Sequence, residues 1–217
     1  MNKYILFDLD GTLIDSLPLI RQTFEHVFRE MNLPWEAEQT IDTVGLPLIE
    51  VCRRFGGERQ QEMFDRYLRH QETLHDHMIR GFPGAVACLT ELRRKGLSLG
   101  VVTAKRRQMA LRGLQLAGMA EFFSTVVAME DTAKHKPDPE PVLKAMEGLK
   151  ADPALTVFIG DSPFDILAGK NAGIKTIGAT WGMAAAERLL AHQPDFLVED
   201  WDQLLQYLLP VSSIPAC

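Results

Sequence analysis

Short apolar runs alternate along this chain with longer stretches in which apolar residues recur every three or four positions. The runs cover residues 4–7, 97–102, 125–128, 156–159 and 174–177, and are β-branched or aliphatic nearly throughout. Such runs suit strands buried on both faces. Between them, Val86, Leu89, Leu92 and Arg93 begin one helical pattern, and Met109, Leu111 and Leu114 begin another. Val142, Leu143, Met146 and Leu149 form a third. From about residue 84 onward the chain therefore alternates strand and helix, the signature of a parallel sheet covered by helices. Residues 196–198 add a candidate edge strand, and a closing helix is expected over 201–209.

One stretch breaks this alternation. From residue 17 to 80 no strand pattern is evident, whereas Leu17, Ile20, Phe24, Val27 and Met31 recur at helical spacing, as do Leu48, Val51, Cys52 and Phe55. Pro34, Gly45, Pro47, Gly56 and Gly57 punctuate these helices. The pattern predicts an α/β fold: a Rossmann-like parallel sheet with helices on both faces, and a small all-helical cap inserted after the first strand. Residues 1–16 and 81–217 would form the core and 17–80 the cap, with the Gly-Phe-Pro-Gly stretch at 81–84 as the return hinge.

Composition narrows the function. The chain is 46% hydrophobic and 24% charged, ordinary for a globular protein. A net charge of −6 argues against a nucleic-acid partner, whose binding draws on paired cations. No run reaches transmembrane length, so no membrane partner is expected. The first residues lead straight into a strand-like segment without a signal-peptide layout, which makes a cytoplasmic location the expectation. Cys52, Cys88 and Cys217 are scattered outside any metal or redox spacing and read as reduced.

The candidate chemistry lies where strands end. Residues 7–12 read Phe-Asp-Leu-Asp-Gly-Thr, placing Asp8 and Asp10 at the end of the first strand. Open α/β sheets bind ligands at that edge. One carboxylate can attack phosphorus while the other manages the leaving-group proton. By itself the motif is more often a turn with a strand-end cap. Thr103 ends the second strand and offers a hydroxyl just before a helix, whose free amides favour an anion, although a strand-end Thr is commonly a helix cap. Lys136 precedes Pro137, which restricts its backbone, yet alone it reads best as a surface lysine. Asp161 and Asp165 close the fourth strand beside Gly160. Hard carboxylate oxygens at that point suit magnesium, and helix capping is the competing role.

Taken in order, D-x-D-G-T, a strand-end Thr, K-P and G-D-x-x-x-D resemble the haloacid dehalogenase-like superfamily, over nearly the whole chain and including the position of the helical insert. The resemblance implies that Asp8 is a nucleophile and that Asp10 is a general acid, then a base, whose carbonyl also binds metal. Thr103, Ala104, Lys105 and Lys136 would contact substrate. Magnesium would be held by Asp8, Asp10 and Asp161, with Asp165 in support. The namesake dehalogenases lack the second aspartate of the first motif, so Asp10 argues for phosphoryl transfer. The stretch 12–16, the Lys136 motif and Gly160-Asp161-Ser162 are similar to phosphoglycolate phosphatases. Residues 137–145 and 165–173 also resemble a bacterial inorganic pyrophosphatase of the same group, and Ala104 departs from the Asn common in the phosphatases.

The expectation is therefore a magnesium-dependent phosphatase of a small soluble phosphorylated metabolite, phosphoglycolate phosphatase-like, working through an aspartyl-phosphate. Inorganic pyrophosphatase, a phosphosugar mutase and a non-catalytic binding module are the alternatives. Other residues read more plainly. His75 and His77, two apart on a helix, are expected at the surface. Arg53, Arg54, Arg59, Arg66 and Arg69 read mostly as solvated cap charges, any one of which could point at a substrate anion. Trp181 and Trp201 read as core or interface residues.

Overall fold

The computed structural model describes residues 2–209. Six strands form one parallel sheet: β1 (Tyr4–Phe7), β4 (Ser98–Val102), β5 (Thr125–Val127), β6 (Thr156–Gly160), β7 (Lys175–Ala179) and β8 (Phe196–Val198), in the order β5-β4-β1-β6-β7-β8. The chain steps from β1 out to β4 and β5, then returns to place β6 on the other side of β1. This reversal opens a crevice at the C-terminal ends of the central strands. In register, Phe7 of β1 lies between Val101 and Ile159. The residues that follow these strands are thus brought to one edge.

Alternation along β1 sorts side chains between two cores. Ile5 and Phe7 pack on one face with α5 (Ala85–Arg94), α6 (Arg107–Leu116) and α10 (Trp201–Leu208). Leu6 packs on the other with Phe158, Val142 and Met146, beneath α7 (Glu140–Leu149) and α8 (Pro163–Asn171). A short α9 (Ala186–Leu190) packs near β7. The expected strands are present with ends shifted by one or two residues. Within the predicted helices the buried faces differ in detail. Val86, Leu111 and Leu143 point outward, and Ala110, Gly113 and Leu114 form the inner face of α6.

A two-stranded antiparallel ribbon, β2 (Ile14–Asp15) with β3 (Arg80–Gly81), was not expected from the sequence. Strands of two residues are too short to show alternation. The ribbon clamps the two chain crossings on either side of four helices: α1 (Leu17–Glu30), α2 (Ala37–Ile41), α3 (Leu48–Gly56) and α4 (Gln60–Met78). These helices share their own apolar cluster. Ile20, Phe24, Val27 and Phe28 of α1 meet Val51 and Cys52 of α3 and Met63 and Tyr67 of α4. Phe28 sits edge-on to Phe24, Trp35 and Phe55.

His75 departs from the sequence expectation. It is fully buried on α4, with Nδ1 3.1 Å from Asp76 Oδ1, whereas His77 is exposed as expected. Cys52 and Cys88 are free and buried, and burial pushes both thiols up to about 12. Cys217 lies outside the described residues. Among the described residues no helix is long and apolar enough to cross a membrane.

Because Phe28 anchors the helical cluster with three ring contacts, Phe28→Ala should cost about 3–5 kcal/mol of stability. Equilibrium urea denaturation measures this, and a loss below about 1 kcal/mol would show that the cluster collapses around the gap.

Candidate active site

Three strand ends and two loops converge above the sheet. β1 delivers Asp8 and Asp10, β4 delivers Thr103, and β6 delivers Asp161. Lys136 arrives from the loop before α7, and Asp165 from the first turn of α8. Lys136 is 2% exposed and not a surface residue. Its reading as a solvated charge fails because burial here is set by the convergence of distant segments. Its Nζ donates to Asp8 Oδ1 at 2.7 Å, to Asp165 Oδ1 at 2.6 Å and to the Val102 carbonyl at 3.5 Å. Three donors thus meet three acceptors.

Asp165 is committed on its other side as well. Its Oδ2 accepts from the Ser162 backbone N–H at 3.0 Å and from the Ser162 hydroxyl at 2.6 Å. This is the reach-back half of a helix capping box. Asp161 is similarly fixed. Its Oδ1 accepts from the Thr12 hydroxyl at 2.9 Å, and its Oδ2 from the Met183 N–H at 2.8 Å. Gly11 makes this approach possible. It holds φ +86°, and an added Cβ would lie 2.1 Å from Asp161 Oδ2. Thr12 and Met183 are supporting residues that the sequence reading left without a role, and Ser162 takes the competing helix-capping role as the N-cap of α8. Thr12 lay within a quoted motif, but a backbone donor such as Met183 carries no side-chain signal.

Asp8, Asp161 and Asp165 place one carboxylate oxygen each within 4.8 Å of the others, and all three are buried. Burial raises the pKa of Asp8 well above the ordinary carboxylate value; Lys136 opposes this, and Asp165 and Asp161 add to it. Burial, reinforced by Asp165, pushes Asp161 up to about 7, against the pull of Met183 and Thr12. For Lys136 burial acts downward, but Asp165 and Asp8 overcome it and raise the ammonium's pKa. Three buried carboxylates with one ammonium leave uncompensated negative charge. A divalent cation with oxygen ligands fits that set.

Asp8 Oδ2 accepts no hydrogen bond from any described residue, and Asp8 lines a cavity of about 100 Å³ between the sheet edge and the helices α1, α3 and α4. Asp10, Thr103, Ala104 and Lys105 line the same cavity. Lys105 Nζ donates to Asp10 Oδ1 at 2.6 Å. The Thr103 hydroxyl oxygen accepts from the Lys105 N–H at 3.1 Å, which leaves its proton to donate elsewhere. The helix after Thr103 starts only at Arg107, and the Arg107 N–H is taken by Glu130 Oε2 at 2.8 Å. The expected amide-rich helix start beside Thr103 is therefore a turn instead. None of Arg53, Arg54, Arg59, Arg66 and Arg69 lines the cavity; Arg59 and Arg66 pair with Glu62, and Arg66 also with Glu30. Trp181 packs on Trp201 at 4.6 Å and donates its indole N–H to the Thr12 carbonyl at 3.0 Å.

Removing Lys136 would leave Asp8 and Asp165 buried without their cation. Lys136→Met should cost about 3–5 kcal/mol near neutral pH. Asp8 is already raised in the folded chain and rises further without the ammonium. The folded state then holds a proton that the unfolded chain releases near pH 4, so stability falls as pH climbs. The deficit should thus be larger at about pH 8 than at about pH 5. Denaturation of both proteins at the two pH values measures it, and a deficit that shrinks toward pH 8 would contradict this charge balance.

The profile of the haloacid dehalogenase-like hydrolase family matches residues 5–179. Pyrophosphatase PpaX of Oceanobacillus iheyensis is 37% identical over 198 residues, covering 91% of this chain and 92% of that protein. A protein of Clostridium perfringens that provisionally carries the same name is 41% identical over 214 residues, covering 98% of this chain and 100% of its own. Among solved structures, a protein of Bacteroides fragilis described as a haloacid dehalogenase-like hydrolase superposes with a TM-score of 0.87 at 28% identity, covering 94% of this chain and 100% of that one. With the family profile matched over most of its length and relatives up to 41% identical across nearly the whole chain, the chain belongs to the haloacid dehalogenase-like hydrolase family.

Proposed function

We propose that the chain is a magnesium-dependent inorganic pyrophosphatase that works through an aspartyl-phosphate on Asp8. The division into a core of residues 1–16 and 81–217 and a cap of 17–80 belongs to this reading. The observation that carries the chemistry is the state of Asp8: its Oδ1 is clamped by buried Lys136 and its Oδ2 is unclaimed, and the residue lines a cavity with Asp10, Thr103 and Lys105. Relatives at 37–41% identity named as pyrophosphatases favour pyrophosphate over phosphoglycolate as the substrate. The basic side chains next to the cavity suit an anionic leaving group. A structure described as a predicted phosphoglycolate phosphatase of Haemophilus somnus shares the fold at 25% identity and a TM-score of 0.83, and this supports the monoester alternative.

In the proposed sequence, Asp8 Oδ2 attacks a terminal phosphorus in line and the bridging P–O bond breaks. The leaving phosphate takes a proton from Asp10. Asp10 then removes a proton from water, whose oxygen attacks the phosphorus of the acyl-phosphate, releasing the second phosphate and restoring Asp8. Lys136 holds Asp8 in place, Thr103 donates its hydroxyl to the phosphoryl group, and Ala104 leaves room beside it. Lys105 turns from Asp10 toward the leaving phosphate. Magnesium would be held by Asp8, the Asp10 carbonyl and Asp161, with Asp165 fixing the site from behind, and would supply positive charge to the transferring phosphoryl group. Asp165 is put in support because its Oδ1 takes the Lys136 ammonium and its Oδ2 accepts two hydrogen bonds, whereas each oxygen of Asp161 accepts one, from a neutral donor. A small cavity roofed by helices suits small soluble phosphates rather than phosphoproteins.

Three measurements test this reading. With magnesium, the purified protein should release phosphate from pyrophosphate with a higher kcat/KM than from phosphoglycolate, and the reverse order would overturn the substrate. Asp8→Asn should fold normally and lose essentially all turnover, whereas wild-type rates in that variant would sink the covalent route. Asp161→Ala should raise the magnesium requirement sharply, and calcium should inhibit, because its larger and looser shell disturbs in-line geometry. Full activity in excess chelator would contradict the metal.

Lys105 divides the substrates. Lys105→Ala should impair pyrophosphate more than nitrophenyl phosphate, whose leaving group lacks a second anion. Equal losses on the two would remove Lys105 from substrate choice.

A further inference from the structure

The helical roof of the cavity is almost wholly apolar. Ile20, Phe24, Leu46, Leu48, Val51 and Phe64 are among its lining residues. Among the described residues, Tyr67 and Gln71 are the only polar side chains that the roof contributes. Both belong to α4, one helical turn apart, and they are 4% and 7% exposed. Gln71 Nε2 donates to the Tyr67 hydroxyl oxygen at 3.1 Å. No described residue accepts the Tyr67 proton. The Tyr67 ring is wedged against Phe24 with 4.5 Å between centroids, which leaves the hydroxyl little freedom to turn away.

A buried hydroxyl whose acceptor side is satisfied and whose proton has no protein partner costs stability unless something in the cavity takes the proton. An apolar residue would fill the same space without that cost. Burial raises the Tyr67 pKa, and the Asp10 charge is near enough to add to the shift. The phenol therefore stays protonated and lies within electrostatic reach of the group assigned the leaving-group proton.

We propose that Tyr67, positioned by Gln71, is a specificity residue that donates a hydrogen bond from the helical roof to the anionic leaving half of the substrate. This rests on the reading of the cavity as a phosphoryl-transfer site and adds the roof's part in choosing the leaving group. A neutral donor suits this place. It binds the distal anion in the substrate and releases it more readily as free phosphate than a second fixed cation would.

The test compares kcat/KM for pyrophosphate and for nitrophenyl phosphate in wild type, Tyr67→Phe and Gln71→Leu, with thermal melts as the folding check. Hydrogen bonds to charged groups contribute about 1.5–3 kcal/mol, so Tyr67→Phe should lower the pyrophosphate-to-nitrophenyl ratio about 10- to 160-fold. The loss should fall mainly on KM for pyrophosphate. Gln71→Leu leaves the phenol present but unheld and should lower the ratio by a smaller factor. Equal losses on both substrates, or an unchanged ratio in folded variants, would overturn the role of Tyr67. Wild-type turnover of pyrophosphate is the separate control. If it is absent, the pyrophosphatase reading fails, and the same comparison is decided on phosphoglycolate, whose leaving group also carries an anion.

Discussion

The buried ammonium of Lys136 is the constraint on which the rest of this structure depends. Three carboxylates crowd within 4.8 Å of one another beneath the surface, an arrangement that repulsion and lost hydration both oppose. Lys136 offsets much of that cost by spending all three of its protons on acceptors, two of them carboxylates. A lysine's ammonium usually stays in water, with only its stem buried. Here the head group is inside, which requires the loop before α7, the end of β1 and the start of α8 to hold fixed positions relative to one another. Parallel strands that end at one edge supply that rigidity, and it is why the charged cluster sits on the sheet and not among the helices of the insert.

Much of this was legible in the sequence, for physical reasons that vary by residue. Strands buried on both faces announce themselves as unbroken apolar runs, and strand-end aspartates beside glycines mark the active edge; both signals are local. Lys136 was harder, because its burial is created by segments that are 29 to 128 residues away. A lysine before a proline carries no local sign of that. His75 went wrong for a similar reason: its spacing from His77 says that the two face differently but cannot say which face is inside. The ribbon β2–β3 is below the length at which alternation can be read. Tyr67 and Gln71, one turn apart on a helix otherwise rich in charge, look like part of a solvated face until the fold turns that face onto the cavity.

The site also divides its labour between two materials. The sheet edge provides charge and fixed hydrogen bonds, each oxygen of Asp161 and Asp165 having a named donor. The roof provides shape, apolar surface and one neutral dyad. In an apolar surround, electrostatic interactions are stronger than in water. A roof without charges thus strengthens the charges below it while adding none that would compete with them for a ligand.

These two layers are not mechanically independent. Met183 donates its backbone N–H to Asp161 Oδ2, and its side chain packs against the apolar cluster of the insert. Thr12 donates to the other oxygen of Asp161, and the Thr12 carbonyl is held by Trp181, two residues before Met183. Asp42 of the insert forms an ion pair with Arg188 just beyond the same loop. One short segment therefore touches the roof with a side chain and an acidic site residue with its backbone. Shifting the helical layer would disturb Met183 directly and, through its N–H, the orientation of Asp161. The reverse also holds, since whatever fixes Asp161 fixes the Met183 backbone on which part of the insert rests. The packing of an apolar side chain and the aim of a buried carboxylate are in this way set by the same few peptide units.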